Sequence, residues 1–547
     1  MDRTESAPDA KLGEEPVAID ADEIAVGGRA SIKTSKPKST EDKTTATKSA
    51  QELADEQRTW HEERIRQRLQ NEYERAGRAL SELVGENLDA PMRLSSIRII
   101  GASHTRAGFL SRVASPYLAP SSPSSSSTSF TSSLLSLIYP TSTPSSIDSE
   151  QQDKYPTTET LRQVLSKTRS ISEDLAKFGI FESVEAGLDR SRDVLADPYD
   201  VDLVLKVKES SRYFLRTATD VGDGEGNATA TARIRNAFGG AETLEGNMSF
   251  GTRTKSNFAI RLATPLFASP DTTLSLSTFA TERDLTYFAA CRESVRGIKV
   301  GLRTISALGD HEFAYDAILR NMCDVGTNAS MSIRNAAGLS VKSALSHTLL
   351  RDTRDDPFIA TKGSYFRLMQ EYAGLGGDAD FFKSESESLI SRPVGAGCTL
   401  SWSFRWGMLY PLNGKPSHFL DRIHLGGPTS VRMFKMNGLG PRDHNDFIGG
   451  DLQWSSGLSL ITPIPKREDW PLKGHFFLNA GRLVAFNQTF SRSLADLLRE
   501  PAVSAGFGIM YKHSIVRAEL NFGMPLAAHK GDGVRKGLQV GLGLHFL

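Results

Sequence analysis

The chain has 547 residues, more than one ordinary soluble domain needs, and its 65 Lys and Arg balance its 65 Asp and Glu. That balance removes the basic surface that phosphate binding demands, so nucleic acid is excluded as a partner. The three cysteines, Cys291, Cys323 and Cys398, are far apart and without CxxC or Cys/His spacing, which leaves neither a metal site nor a disulfide framework to expect.

No stretch reaches the roughly 20 consecutive apolar residues of a membrane-crossing helix. Hydropathy alone would class the chain as soluble, but a membrane β-barrel exposes apolar side chains only at alternate positions and gives a weak windowed signal. Near the N-terminus, Asp2, Glu5, Asp9, Glu14 and Glu15 stand where a matrix presequence would be Arg-rich and acid-poor, and no apolar secretory region follows.

In chain order, residues 1 to about 50 are polar, with a Lys/Thr/Ser-rich run, and are expected to be disordered. Residues 50–85 are rich in Glu, Arg, Gln, Ala and Leu and predict a solvated helix, so residues 1–90 read as an extension. From Leu94 the pattern changes. LSSIRIIGAS reads as a strand, HTRAGFLSRVASPYL as a helix, and TLRQVLSKTRSISEDLAKFGIF as a second helix capped by Gly179. Two strands follow, Phe181 to Asp189 and Val201 to Ser211, and a Ser/Thr/Pro-rich insert at about 120–156 reads as an unstructured loop. Residues 91–211 therefore predict a small α+β domain, and the order β-α-α-β-β resembles a polypeptide-transport-associated (POTRA) module.

After about Arg212 the helical signals nearly vanish. Short alternating runs replace them, such as CTLSWSFRWGMLY (398–410), with Leu400, Trp402 and Tyr410 on one face and Ser401, Ser403 and Arg405 on the other. DLQWSSGLSL, VSAGFGIMYK, IVRAELNFGM and GLQVGLGLHF repeat the design, the third setting Arg517, Glu519 and Asn521 on its polar face. A soluble sandwich would turn the apolar faces inward, whereas a wide membrane barrel turns them to lipid and the polar faces to water. Roughly 335 residues at about 20 per strand and turn give about 16 strands, wide enough for an aqueous lumen. The expected fold is thus an α+β module followed by a transmembrane antiparallel β-barrel over 212–547.

Three stretches carry a resemblance to the outer-membrane barrel-assembly family. LGGPTSVRMFKMNGLGPRD (425–443) is a Gly-rich connection with Gly426 and Gly427, in which Val431, Arg432, Met433 and Phe434 occupy the family's hydrophobic-Arg-Gly-aromatic signature, Met433 replacing the Gly. FFLNAGRL (476–483) is similar to the wall segment that receives this loop, aromatic-x-Asp-x-Gly, through Phe477, Asn479 and Gly481. Asn479 stands for the Asp, so a charged pair is expected to weaken to a neutral one. The run QVGLGLHF fits the β-signal of mitochondrial barrels through Gln539, Gly541, Leu544 and Phe546. With one POTRA-like module and no secretory region, the chain resembles the core barrel of the mitochondrial sorting and assembly machinery.

The resemblance implies an integral barrel of the mitochondrial outer membrane that inserts client β-barrel precursors, with accessory subunits and membrane lipid as further partners, its N-terminal domain in the intermembrane space, and no cofactor. It places the loop inside the lumen, with Arg432 on the inner wall. It also implies a lateral gate between the first and last strands. The first strand, Tyr213, Phe214, Leu215, Arg216, Thr217, Ala218 and Thr219, is short and carries Arg216, so it is expected to pair poorly. The other reading is a passive solute or protein-conducting pore. An enzyme is not expected, since no GxSxG, P-loop, HExxH or Rossmann pattern stands in the right context, and His311-Glu312 and Asp355-Asp356 read as isolated turn or lumen residues.

Overall fold

A computed structural model describes residues 50–118, 159–194, 196–222, 225–464, 470–486, 490–512 and 517–543. The polar run before residue 50, the Ser-rich insert and Leu544 and Phe546 of the terminal signal lie outside the described residues. Helix α1 (Ala50–Glu86) belongs to a unit of its own. Ile65, Leu69, Tyr73 and Leu83 on it are exposed, as a helix charged on most faces would leave them.

The second unit starts with a four-stranded sheet under two helices. Strands β1 (Pro91–Ile100), β2 (Glu159–Thr160), β3 (Phe181–Arg190) and β4 (Asp200–Glu209) lie in the order β2-β1-β4-β3, with β1 and β4 parallel. Helices α2 (Ala107–Leu118) and α3 (Leu161–Lys177) cover it. The α3 positions Val164, Thr168, Ile171 and Leu175 recur at helical spacing and are buried, Ile171 and Leu175 against Leu203 and Leu205 of the sheet. The Thr160 amide donates to the Gln163 side chain at 3.2 Å at the start of α3, and Gly179, at φ +66°, ends it.

Sixteen antiparallel strands form the rest, in sequence order from β5 (Tyr213–Gly222) and β6 (Glu225–Arg235) to β15 (Cys398–Pro411), then from β18 (Leu452–Pro463) to β22 (Gly537–Gly543). Strands β16 (Arg442–Asp443) and β17 (Asp446–Phe447) make a small hairpin between the two runs. Alternation decides the inside. On β21 (Arg517–Ala527), Arg517, Glu519 and Asn521 are buried, while Leu520, Phe522 and Met524 are 45%, 53% and 59% exposed. On β11 (Gly309–Cys323), Phe313, Tyr315 and Leu319 face out and the buried Arg320 faces in. Large apolar side chains outside and ionic groups inside invert a soluble sandwich and suit a cylinder bathed in hydrocarbon.

The end strands β22 and β5 lie alongside each other, and no ladder of hydrogen bonds joins them among the described residues. Here a sequence expectation needs correction. The first strand is not short, because it runs to Gly222 and matches β6 from Tyr213↔Ile234 to Gly222↔Glu225. Beyond Thr219 the ladder with β6 carries Asp220 to Gly222 as strand. Only the edge facing β22 is left without a ladder.

The small α+β domain touches the barrel where β6 turns back. The Arg106 amide donates to the Gly239 carbonyl at 2.7 Å, and the Asn236 side chain donates to Thr105 Oγ1 at 2.9 Å. Strand parity puts the long connection between β15 and β18, residues 412–451, at the opposite mouth.

Candidate functional site: a loop seated in the lumen

The 412–451 connection folds inward instead of standing out from the rim. Gly426 and Gly427, at φ +108° and +122°, let it reverse, and a Cβ on Gly426 would lie 2.8 Å from the Lys435 carbonyl. Bridges Ile423↔Gly450 and Leu425↔Leu439 close its neck. Ile423, Leu425, Val431, Phe434 and Leu439 then form an apolar cluster with Leu483 of β19 (Leu472–Val484) and Ala502 of β20 (Ala502–Lys512). At the rim, Asp446 accepts the amides of Ala290 and Ser330 at 3.1 and 2.7 Å, and Asp421 pairs with Arg320 at 2.6 Å.

The tip carries the chemistry. Arg432 is fully buried. Its Nε and Nη2 donate to the two Glu519 carboxylate oxygens at 3.0 and 3.2 Å, its Nη1 donates to Asn479 Oδ1 at 3.3 Å, and its guanidinium lies 5.2 Å from the Phe477 ring centre. A planar fork met bidentately by a carboxylate is the arrangement that compensates best for removing an Arg from water. Glu519 also pairs with Arg517 and accepts from Asn521 Nδ2 at 2.9 Å, and Asn521 Oδ1 lies 2.6 Å from His475 Nε2. Gly481 makes room for Val431, since a Cβ there would sit 2.9 Å from Val431 Cγ2.

The loop also grips the sheet's last strand. Gln539 Oε1 accepts the Met433 amide at 2.9 Å, and its Nε2 donates to the Phe434 carbonyl at 3.1 Å. From the opposite mouth a second connection, residues 353–362, reaches the same cluster through a bond from Arg517 Nη1 to the Phe358 carbonyl at 3.1 Å, with Asp356 paired to Lys512. Loops from both mouths therefore meet on one inner wall, β19 to β22.

The structure thus brings Val431, Arg432, Met433 and Phe434 together with Phe477, Asn479, Gly481 and Gln539. Tyr213 to Thr219 lie on β5, apart from that cluster. Two sequence readings change. The charged partner of Arg432 is not lost with the Asn at 479, because Glu519, on β21, supplies the carboxylate. Glu312 is a lumen residue but not an isolated one, since it pairs with Lys299 at 2.8 Å, while His311 sits outside, its Nδ1 3.1 Å from His347 Nε2.

Residues 236–546 match the Omp85 superfamily domain. The chain belongs to the Omp85 superfamily. Within it the chain belongs to the group of sorting and assembly machinery component 50 homologues. A SAM50-like protein of Schizosaccharomyces pombe is 34% identical over 86% of this chain and 94% of its own length. The human sorting and assembly machinery component 50 homolog is 31% identical over 71% of this chain and 84% of its own. Among solved structures, BamA from Haemophilus ducreyi lacking POTRA domains 1–3 shares the fold, with a TM-score of 0.63 at 16% identity over 83% of this chain and 84% of that one.

Met433, which stands where the sequence resemblance expects a Gly, has its backbone in the left-handed region at φ +66°. A non-glycine residue there costs on the order of 1 kcal/mol. Its buried thioether lies beside Gly523, where a Cβ would be only 3.2 Å from the sulfur.

The Asn479 departure supports a prediction. Asn479 Nδ2 is buried without a hydrogen-bond partner, and the cluster holds two guanidiniums against one carboxylate. Asn479→Asp should remove the orphaned donor, add the missing negative charge and seat the loop more firmly by about 1 kcal/mol. The urea concentration at which the loop becomes open to protease should rise, and a fall would show that burying a second carboxylate costs more than the pairing returns.

Proposed function

We propose that this chain inserts and assembles β-barrel proteins in the mitochondrial outer membrane, and that it does so by opening sideways between β5 and β22. A strand entering hydrocarbon with unpaired N–H and C=O groups loses several kcal/mol per group, so a template edge is required. The observation that carries the reading is the asymmetry of the seam. The β22 strand is tied to the lumen loop through Gln539, whereas β5 is laddered to β6 alone, so β5 is the strand whose edge comes free. A client's last strand would add to that edge by β-augmentation.

The relatives named as sorting and assembly machinery components support the assignment to mitochondria and to an assembly complex with accessory subunits. In this reading the small α+β domain is a POTRA module facing the intermembrane space, where it meets client precursors. The loop would then lie at the cytosolic mouth and hold the far half of the seam. A passive pore is disfavoured by loops from both mouths packed onto one wall.

The test is a cysteine scan. With Cys291, Cys323 and Cys398 replaced by Ser, single cysteines at positions 213–219 should crosslink to a cysteine in a client's terminal strand, each in one register. Crosslinks spread evenly round the wall would refute the gate.

A further inference from the structure

The inner face of β5 holds a guanidinium that nothing among the described residues uses. Register sets Phe214 opposite Arg233, Arg216 opposite Thr231 and Ala218 opposite Thr229. Arg233 pairs with Glu245 at 2.7 Å, on the same face as Thr231. Arg216 is therefore a lumen residue, and it is exposed, with no hydrogen bond or ion pair among the described residues. On its own side of the seam the nearest acceptors are already engaged with other partners. Thr231 donates to Asn247 Oδ1 at 2.7 Å, and Glu245, besides holding Arg233, accepts from Asn247 Nδ2 at 2.8 Å.

The other side offers even less. Pairing with β21 puts Gly537, Gln539, Gly541 and Gly543 on the inner face of β22, opposite Gly523, Asn521, Glu519 and Arg517. Three of the four have no side chain, and Gln539 is occupied by the loop backbone. Among the described residues the last strand thus offers Arg216 no acceptor side chain, while a different strand seated against β5 could offer one.

We infer that Arg216 is a specificity-determining residue: it selects an incoming strand that carries a carboxylate or side-chain amide on its inward face, next to β5. The inference rests on the lateral-gate reading. A planar fork with five donors suits such oxygens and repels a Lys at the same place. Since a pair in a wet lumen is screened, the expected preference is about fivefold.

The experiment uses the full chain in lipid nanodiscs, with the native cysteines replaced by Ser and Thr217→Cys added on the outer face of β5. The probes are 12-residue strand peptides with apolar outward positions, one outward cysteine, and inward positions all Glu, all Gln, all Gly or all Lys. In pairwise competition the Glu and Gln peptides should crosslink about fivefold more than Gly, with Lys last. Arg216→Glu should put Lys first, and Arg216→Lys should keep the original order. If Arg216→Glu leaves the order unchanged while crosslinking to Thr217→Cys persists, the gate stands and selection by Arg216 is overturned. If no peptide crosslinks to β5, the gate fails and this inference fails with it.

Discussion

Glu519→Gln should release the lumen loop from the wall and abolish client assembly while the cylinder itself persists. The carboxylate is shared by Arg432 and Arg517, both buried, and an amide of the same shape removes the negative group that both guanidiniums meet among the described residues. Stranding buried charge in this way costs about 3–5 kcal/mol. Arg432→Ala should cost less, because Glu519 keeps Arg517, and the pair of substitutions should fall short of the sum by more than ~1 kcal/mol because the residues share one interaction. Limited proteolysis would report cleavage within 425–443, and heat-resistant migration in a mild detergent gel would report the intact barrel. A Glu519→Gln protein whose loop stays protected and whose clients still assemble would remove the ion pair from the mechanism. The barrel should survive because its ladders, such as the fifteen pairs from Arg292↔Cys323 to Ser306↔Gly309, do not involve the loop.

What could be read from the sequence follows how local each determinant is. The alternation in CTLSWSFRWGMLY is local, since each residue's face depends only on parity, and it gave the barrel wall. The strings around Arg432 and Asn479 are local too, and in the fold they meet. The role of Glu519 was not legible. It lies 87 residues from Arg432, and only the stagger of β19, β20 and β21 brings it there. A clue was present in the polar set Arg517, Glu519, Asn521, since an Arg bound for a dry interior needs a carboxylate, and β21 is one of the strands with a carboxylate among the inward residues of its own strand. The full length of β5 was not legible because it is the partner strand β6 that carries Asp220 to Gly222 into the ladder. The connection at 353–362 gave no sign of entering the lumen, because that contact is made by the Phe358 backbone carbonyl, which no side-chain pattern marks.

Glu209→Ala should uncouple the small α+β domain from the first barrel strand and slow client assembly without touching the lumen cluster. Glu209 ends β4, just before β5 begins, and its two oxygens accept from Ser103 Oγ at 3.0 Å, the His104 amide at 3.1 Å, the Thr105 amide at 3.1 Å and Thr105 Oγ1 at 2.8 Å, with His104 Nδ1 2.8 Å away. Thr105 in turn receives Asn236 from the β6 hairpin, so one carboxylate ties the domain's loop to the root of β5. Partial burial pushes the carboxyl up, but the donors from His104, Thr105 and Ser103 outweigh it and hold the group down at about 2, against an ordinary 4.5. A depressed folded value means that the stabilisation is full above about 4.5 and is lost as the pH falls towards about 2. Hydrogen exchange at residues 101–106, corrected for its intrinsic pH dependence, should therefore be slow at neutral pH and quicken across that acid window. In Glu209→Ala it should be fast throughout, with a local loss of about 2 kcal/mol. Glu209→Gln should fall between, keeping acceptance at one oxygen but no acid-dependent change. Identical exchange in all three proteins would mean that the junction is held by the Arg106 contacts, and that the domain's position at the gate strand does not depend on this carboxylate.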